Sequence, residues 1–283
     1  MSGIKIAHII NPVKLPPDRD LHWQQPITFE SMREAEFSTP DDVELVATYY
    51  IEDEEMVPEG FIKTEPLAMS ALHLQSFNIP RKLPLFREIL QKLYDTSDAD
   101  YFIQTNADIG LMPYFYTFVK SIIDGGVDSF CINKRIIPEE LKDEDLSVLW
   151  STPGIPHAGC DCFVFRRELF PKFDLGDIVM GTPWSETTLI TNLIAYAKNF
   201  VVFKNAHATF HLGDRRVWIG HEYNDYRILN TNEFARILKK LSRKNKKILK
   251  HDAIVNQLGK LNQEVKGYSK ETYSKDCWYF VNK

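Results

Sequence analysis

The run Tyr101 to Pro113, Tyr-Phe-Ile-Gln-Thr-Asn-Ala-Asp-Ile-Gly-Leu-Met-Pro, constrains this chain more than any other stretch. Tyr101 to Gln104 read as the end of a buried strand, with aromatic and β-branched residues bounded by polar ones. Asn106 and Asp108 follow, two residues apart. On an extended backbone that spacing points both side chains the same way. An amide oxygen and a carboxylate at the carboxyl end of a strand make a hard-oxygen site. Mg2+ or Mn2+ prefers such ligands and takes the rest of its shell from water and substrate phosphates. The carboxyl edge of an open α/β sheet is also where such folds bind ligands. A plainer role fits the same residues: Asp108 caps the helix beginning near Pro113, or makes a turn.

Around this run the chain alternates between two periods. Ile4 to Ile10 is β-prone and ends in Asn11-Pro12-Val13, a forced turn. An amide there can contact a nucleotide base or simply cap the turn. Thr28 to Glu36 reads as a helix with a capping box, Ser31-x-x-Glu34. Val43 to Ile51 is a second strand, Glu52 to Glu55 a solvated acidic turn, and Gly60 to Met69 a third strand and loop. Pro84 to Tyr94 shows the helical period, with Leu85, Ile89, Leu90 and Leu93 on one face. Arg81 and Lys82, between two prolines, are either a solvated loop or a cation pair near a phosphate. Tyr114 to Ile123 is an apolar helix stopped by Gly125-Gly126, and Val127 to Asn133 is another strand. Gly159 to Arg166 and Phe200 to Lys204 are strands, with the helix Thr187 to Lys198 between them. This alternation predicts a largely parallel sheet with helices on its faces.

Bulk properties narrow the class. A chain of 283 residues, 44% apolar, can bury a sizeable core. The net charge of −5 argues against a dedicated nucleic-acid binder. The stretch from Arg236 to Lys250, however, carries eight Lys/Arg and no acid. Cys160 and Cys162 are too close for an ordinary disulfide and lack the C-x-x-C spacing. The four cysteines therefore read as reduced, partly buried thiols of a cytosolic protein. The N-terminus does not read as a secretory signal, and no 18-residue apolar run is present.

Further polar pieces follow Pro156. Asp161, in His157-Ala-Gly-Cys-Asp161, begins a strand; Trp184 and Glu186 sit at a helix start. His207 and His211 would make a zinc pair only on a helix. In an extended segment they lie about 13 Å apart and cannot share one metal. His211 alone, beside a glycine turn, can offer an imidazole to a metal held by Asp108. Asp214-Arg215-Arg216 is a surface ion-pair cluster or a set of guanidinium groups facing pyrophosphate. Trp184 is by default a core or cap residue, or it stacks on a sugar. Glu186 is by default a helix-start acid.

In this order the pieces resemble a nucleotide-sugar glycosyltransferase of the GT-A fold, over roughly residues 4–220. The resemblance implies a mixed, mainly parallel α/β sheet flanked by helices in residues 1–230, with a basic helical C-terminal extension in 231–283. It implies that Asp108 holds Mn2+ or Mg2+ with the donor diphosphate, with His211 completing the shell. Asn106 departs from the Asp-x-Asp pattern. Asn11, Arg81 and Arg215 would line the donor site and His157 and Trp184 the acceptor side. Glu186 would be the general base, with Asp161 as runner-up. The implied partners are a nucleotide-diphosphate sugar and a glycan or lipid-linked acceptor in surface polysaccharide synthesis, with no nucleic acid. The implied setting is the cytoplasm, with peripheral membrane contact through residues 234–250 as one reading and a packed surface helix as the other. An inactive sugar-binding protein of the same fold is one alternative. A sugar nucleotidyltransferase is another, disfavoured because the loop Asn11 to Lys14 has no glycine.

Overall fold

The structure is a computed structural model that describes residues 3–214, 220–269 and 271–281. In chain order its elements are β1 (Ile6–Ile10), α1 (Asp20–Glu36), β2 (Val43–Ala47), β3 (Ile62–Lys63), α2 (Phe86–Thr96), β4 (Tyr101–Thr105), β5 (Gly110–Leu111), α3 (Phe115–Asp124) and β6 (Ser129–Ile137). They continue with α4 (Leu146–Ser151), β7 (Ile155–Arg166), α5 (Ser185–Tyr196), β8 (Phe200–Phe203), β9 (Thr209–Leu212), α6 (Asn224–Lys244), α7 (Asp252–Lys266) and α8 (Lys275–Val281).

The chain divides into two compact units, each built from three segments. The first comprises Met1–Leu67, Leu90–Phe170 and Lys198–Arg215, and contains the whole sheet. The strand order is β3-β2-β1-β4-β7-β6-β9-β5, with β8 also paired to β6. β1 runs parallel to β2 and β4, and β6 runs parallel to β8 and β9. β7 runs antiparallel between β4 and β6. All five residues of β1 and of β4 are buried, as expected for parallel strands covered on both faces. Ile10, Ile103, Phe115, Phe130 and Val164 belong to the main core cluster of this unit.

The second unit comprises Ala68–Ile89, Pro171–Ala197 and Arg216–Lys283. Phe77, Leu85, Val179 and Tyr226 form a small core there, with the Phe77 and Tyr226 rings stacked 4.0 Å apart. The boundary expected after residue 230 falls inside α6. The helical part thus recruits two earlier segments of chain in addition to the C-terminal one.

Several local expectations need correction. α1 starts eight residues before Thr28, and Pro26 lies inside it. Proline removes a helix hydrogen bond, so it reads as a break in sequence. Ser31 is therefore not a cap. Its hydroxyl donates to the Thr28 carbonyl and accepts from the Leu111 N–H, tying α1 to β5. The acidic turn is a 3-10 helix, Ile51–Met56, in which Asp53 is buried and accepts from the Lys14 N–H. Cys131 and Cys160 are joined in a disulfide across β6 and β7, Cα atoms 5.9 Å apart, while Cys162 and Cys277 are free and buried. Neighbouring strands bring together cysteines that lie 29 residues apart in sequence.

Candidate active site

β4 ends at Thr105, and the Ile109 N–H donates to the Asn106 carbonyl, closing a tight turn around Asp108. The chain then enters β5, which pairs antiparallel with β9, Gly110 opposite Phe210. One step along that register, His211 falls opposite Ile109 and beside Asp108. A Cβ at Gly110 would run into the Phe210 ring, so this close pairing requires glycine.

His211 Nε2 stands 3.3 Å from Asp108 Oδ2. The His211 side chain is 9% exposed and that of Asp108 27%. The other imidazole nitrogen, Nδ1, is 2.7 Å from the Gly213 carbonyl oxygen, which can only accept. Nδ1 therefore carries a hydrogen, and in the neutral form of the ring Nε2 presents a lone pair to a carboxylate oxygen. Two acceptors face each other there unless a proton or a cation lies between them. Asp108 Oδ1 is buried without a hydrogen-bond partner. Burial pushes the Asp108 carboxyl up, but His211 and the Lys134 charge outweigh it and hold the group below its ordinary value.

This donor set fits a hard divalent cation. Two ligands about 2.1 Å from one ion, at adjacent octahedral positions, lie about 3.0 Å apart, close to the separation found. The backbone bond to Gly213 fixes the tautomer that leaves Nε2 open to a metal. Among the described residues no three His, Cys, Asp or Glu side chains are grouped for a metal. Water and substrate phosphates would supply most of the shell, as is usual for Mg2+. No hydrogen bond among the described residues holds the Asn106 side chain.

A second cluster lies on β6 and β7. Thr105 pairs with Cys162 as the last pair of that ladder, and Asn106 and Asp161 are the residues next beyond it on the two segments. The β6–β7 register shifts twice, between Ile132 and Asn133 and between Asn133 and Arg135. Asp161 is the extra residue of the first bulge, and Lys134 lies within the second. Bulges re-aim side chains. Here they bring Lys134 Nζ to 3.3 Å from Asp161 Oδ1 and His157 Nδ1 to 3.6 Å from Asp161 Oδ2. A regular strand would hold His157 and Asp161 about 13 Å apart. The Gly159 N–H donates to His157 Nδ1, and a Cβ at Gly159 would stand 2.7 Å from that ring. Burial raises the Asp161 carboxyl, but His157 and Lys134 more than offset it, leaving it below its ordinary value. Lys134 is not among the residues singled out by the sequence pattern. Its signal is a lysine that follows the apolar run Phe130 to Ile132 within one strand, where an ammonium needs a partner.

Asn11, at the exit of β1, donates from Nδ2 to the Thr48 carbonyl at 2.7 Å and so ties the ends of β1 and β2. His207 and His211 lie on or next to extended chain, as expected, and only His211 reaches Asp108. Arg215 lies outside the described residues. In the second unit, the Arg81 guanidinium lies 4.6 Å from the Tyr223 ring centroid and 4.0 Å from Glu222. Glu186 opens α5, and its Oε2 accepts from the Ser185 hydroxyl at 2.9 Å. Of the two readings of Trp184, the structure shows the packed one. The residue is 6% exposed, and its ring is stacked on Phe234 at 4.7 Å.

No family model and no curated protein sequence matches this chain. Solved structures do match. S. aureus TarS 1–349 in complex with UDP-GlcNAc superposes with a TM-score of 0.52 and 9% identity, over 88% of this chain and 68% of that one. This chain has the GT-A fold. Mannosyltransferase PcManGT from Pyrobaculum calidifontis, in complex with GDP-Man and Mn2+, has a TM-score of 0.46 and 14% identity, over 86% of this chain and 65% of that one. Glucosyl-3-phosphoglycerate synthase from Mycobacterium tuberculosis, in complex with Mn2+, UDP and glucosyl-3-phosphoglycerate, has a TM-score of 0.46 and 13% identity, over 82% and 80%. In this chain Asp108 follows the carboxyl end of β4 and His211 lies near that of β9, the edge at which α/β sheets bind ligands.

Proposed function

We propose that this chain transfers a sugar from a nucleotide-diphosphate sugar to a hydroxyl of a glycan or lipid-linked acceptor, in surface polysaccharide synthesis. The observation that carries the reading is the pairing of Asp108 and His211: Nε2 of His211 stands 3.3 Å from Asp108 Oδ2, its Nδ1 is held by the Gly213 carbonyl, and Asp108 Oδ1 is buried without a hydrogen-bond partner. Asp108 and His211 would hold Mn2+ or Mg2+, with Asn106 beside them and Asn11, Arg81 and Arg215 serving the donor. The cation, when bound, would neutralise charge building on the diphosphate leaving group. The sugar's bond to the diphosphate oxygen breaks, a bond to the acceptor oxygen forms, and a carboxylate takes the acceptor's proton. Glu186 is the proposed base and Asp161 the second candidate, with His157 on the acceptor side.

Among the described residues no helix is long and apolar enough to cross a membrane. The basic stretch is partly neutralised: Arg236 pairs with Glu233 and Asp174, Lys240 with Asp174, and Lys239 with Asp276. Arg243, Lys244, Lys246, Lys247 and Lys250 stay exposed and would give a cytoplasmic enzyme peripheral contact with an anionic membrane face.

The deciding experiment is calorimetry with UDP, with and without Mn2+, followed by UDP-GlcNAc turnover. Metal-dependent binding abolished by Asp108→Ala supports the reading. Asn106, in place of an acid, favours one rival, an inactive binding protein. Metal-independent UDP binding without turnover would select it.

A further inference from the structure

Trp184 is the one non-glycine residue with positive φ among those described, at 78°. It precedes α5 and stands two residues before Glu186. The left-handed conformation is strained for a bulky residue, so it persists only where the surroundings enforce it.

Two contacts enforce it here, both within the second unit. The indole stacks on Phe234 with ring planes 9° apart. Its Nε1–H donates to Thr231 Oγ1 at 2.9 Å. Thr231 Oγ1 in turn lies 2.7 Å from Glu264 Oε1 on α7, and also 2.7 Å from the Arg227 carbonyl in its own helix. An ionised carboxylate is the stronger acceptor of the two. The Tyr273 hydroxyl donates to the same Oε1 at 2.8 Å. One oxygen of a C-terminal glutamate thus anchors a relay that ends on the indole. Trp184 passes it on: its carbonyl accepts from both the N–H and the hydroxyl of Thr188, closing the first turn of α5.

We propose that Glu264 is a positioning residue that acts through Thr231 and Trp184 to fix the start of α5, and with it the carboxylate of Glu186. The role of Glu186 as base is the reading given above, and this proposal rests on it. The C-terminal helices then belong to the catalytic apparatus.

Both donors converge on a single acceptor oxygen, which suggests the test. Glu264→Gln keeps a carbonyl oxygen of the same reach, whereas Glu264→Leu removes it at similar size. Backbone hydrogen exchange across residues 184–190 and UDP-GlcNAc turnover with Mn2+ are measured for both variants, the native chain and Glu186→Gln. Glu264→Leu is expected to speed exchange in this segment about tenfold and lower kcat about tenfold at unchanged KM, with Glu264→Gln near native in both. Native exchange in Glu264→Leu, or equal damage from Glu264→Gln, overturns the proposal. Native turnover in Glu186→Gln overturns the reading of the base instead, and exchange still decides the positioning role.

Discussion

The Nε2 atom of His211 faces Asp108 Oδ2 across 3.3 Å while its Nδ1 is engaged by the Gly213 carbonyl. In the neutral form of the ring that arrangement leaves a lone pair and a carboxylate sharing one small space. A divalent cation satisfies both. Asp108→Ala and His211→Ala should therefore each weaken Mn2+ binding by roughly 100-fold or more, beyond what loss of an outer partner costs. Calorimetric titration of Mn2+ into each variant, with UDP present, reads the effect. Native Mn2+ affinity in both variants would end the metal assignment.

The pairing depends on β5 lying close against β9. Gly110→Ala would drive a methyl group into the buried Phe210 ring. Overpacking of this kind costs about 1–3 kcal/mol. It should also separate Asp108 from His211. The expected result is a lower urea midpoint together with weaker Mn2+ binding. A variant with native stability and native binding would show that the two strands tolerate separation.

What was legible in the sequence follows from locality. β1, β4 and the core of α3 announced themselves because parallel strands buried on both faces are continuously apolar, and because Gly125-Gly126 stops a periodic run. Asp108 was legible as a carboxylate just past a strand end. His211 was a candidate partner for it as a lone imidazole beside a glycine turn, and the resemblance supported the pairing, since a separation of 103 residues leaves no local trace. α1 was half hidden because Pro26 interrupts it. Its buried Gln24 and Gln25 bond backbone at Leu212, the end of β9, and at Val13, so its inner face is not simply apolar. The cluster of Lys134, His157 and Asp161 was hidden because bulges alter the register, and no periodicity records a bulge.

That cluster yields a stability prediction. The side chains of Lys134 and Asp161 are 13% and 12% exposed. Removing the ammonium alone leaves a buried carboxylate without its charge partner, at a cost of about 3–5 kcal/mol. Lys134→Met should thus be strongly destabilised, and Lys134→Met with Asp161→Asn should recover much of the loss. Denaturant midpoints for the full double-mutant cycle measure the coupling. Strict additivity would mean that the two groups do not sense each other.

The last expectation concerns acid. His8, on β1, is wholly buried, with Nδ1 2.9 Å from the Tyr116 hydroxyl and Nε2 2.8 Å from Thr105 Oγ1. Burial pushes its pKa from 6.5 down to about 3. The folded state therefore keeps this imidazole neutral while the unfolded chain protonates it. Its contribution to stability is complete above pH 6.5 and falls by about 1.4 kcal/mol per pH unit between that value and about 3. Burial lowers His207 and His251 as well, so they act in the same direction. The depressed carboxyls of Asp108 and Asp161 lose their contribution only as pH falls below the ordinary carboxylate value near 3.8. Between pH 7 and pH 5 the slope thus comes from histidine. Urea unfolding at pH 7, 6 and 5 should show stability falling with pH. His8→Gln, less stable at pH 7, should have a shallower slope. An equal slope in the variant would mean that His8 is protonated in the folded chain, and that the Tyr116 and Thr105 hydroxyls both accept from its ring.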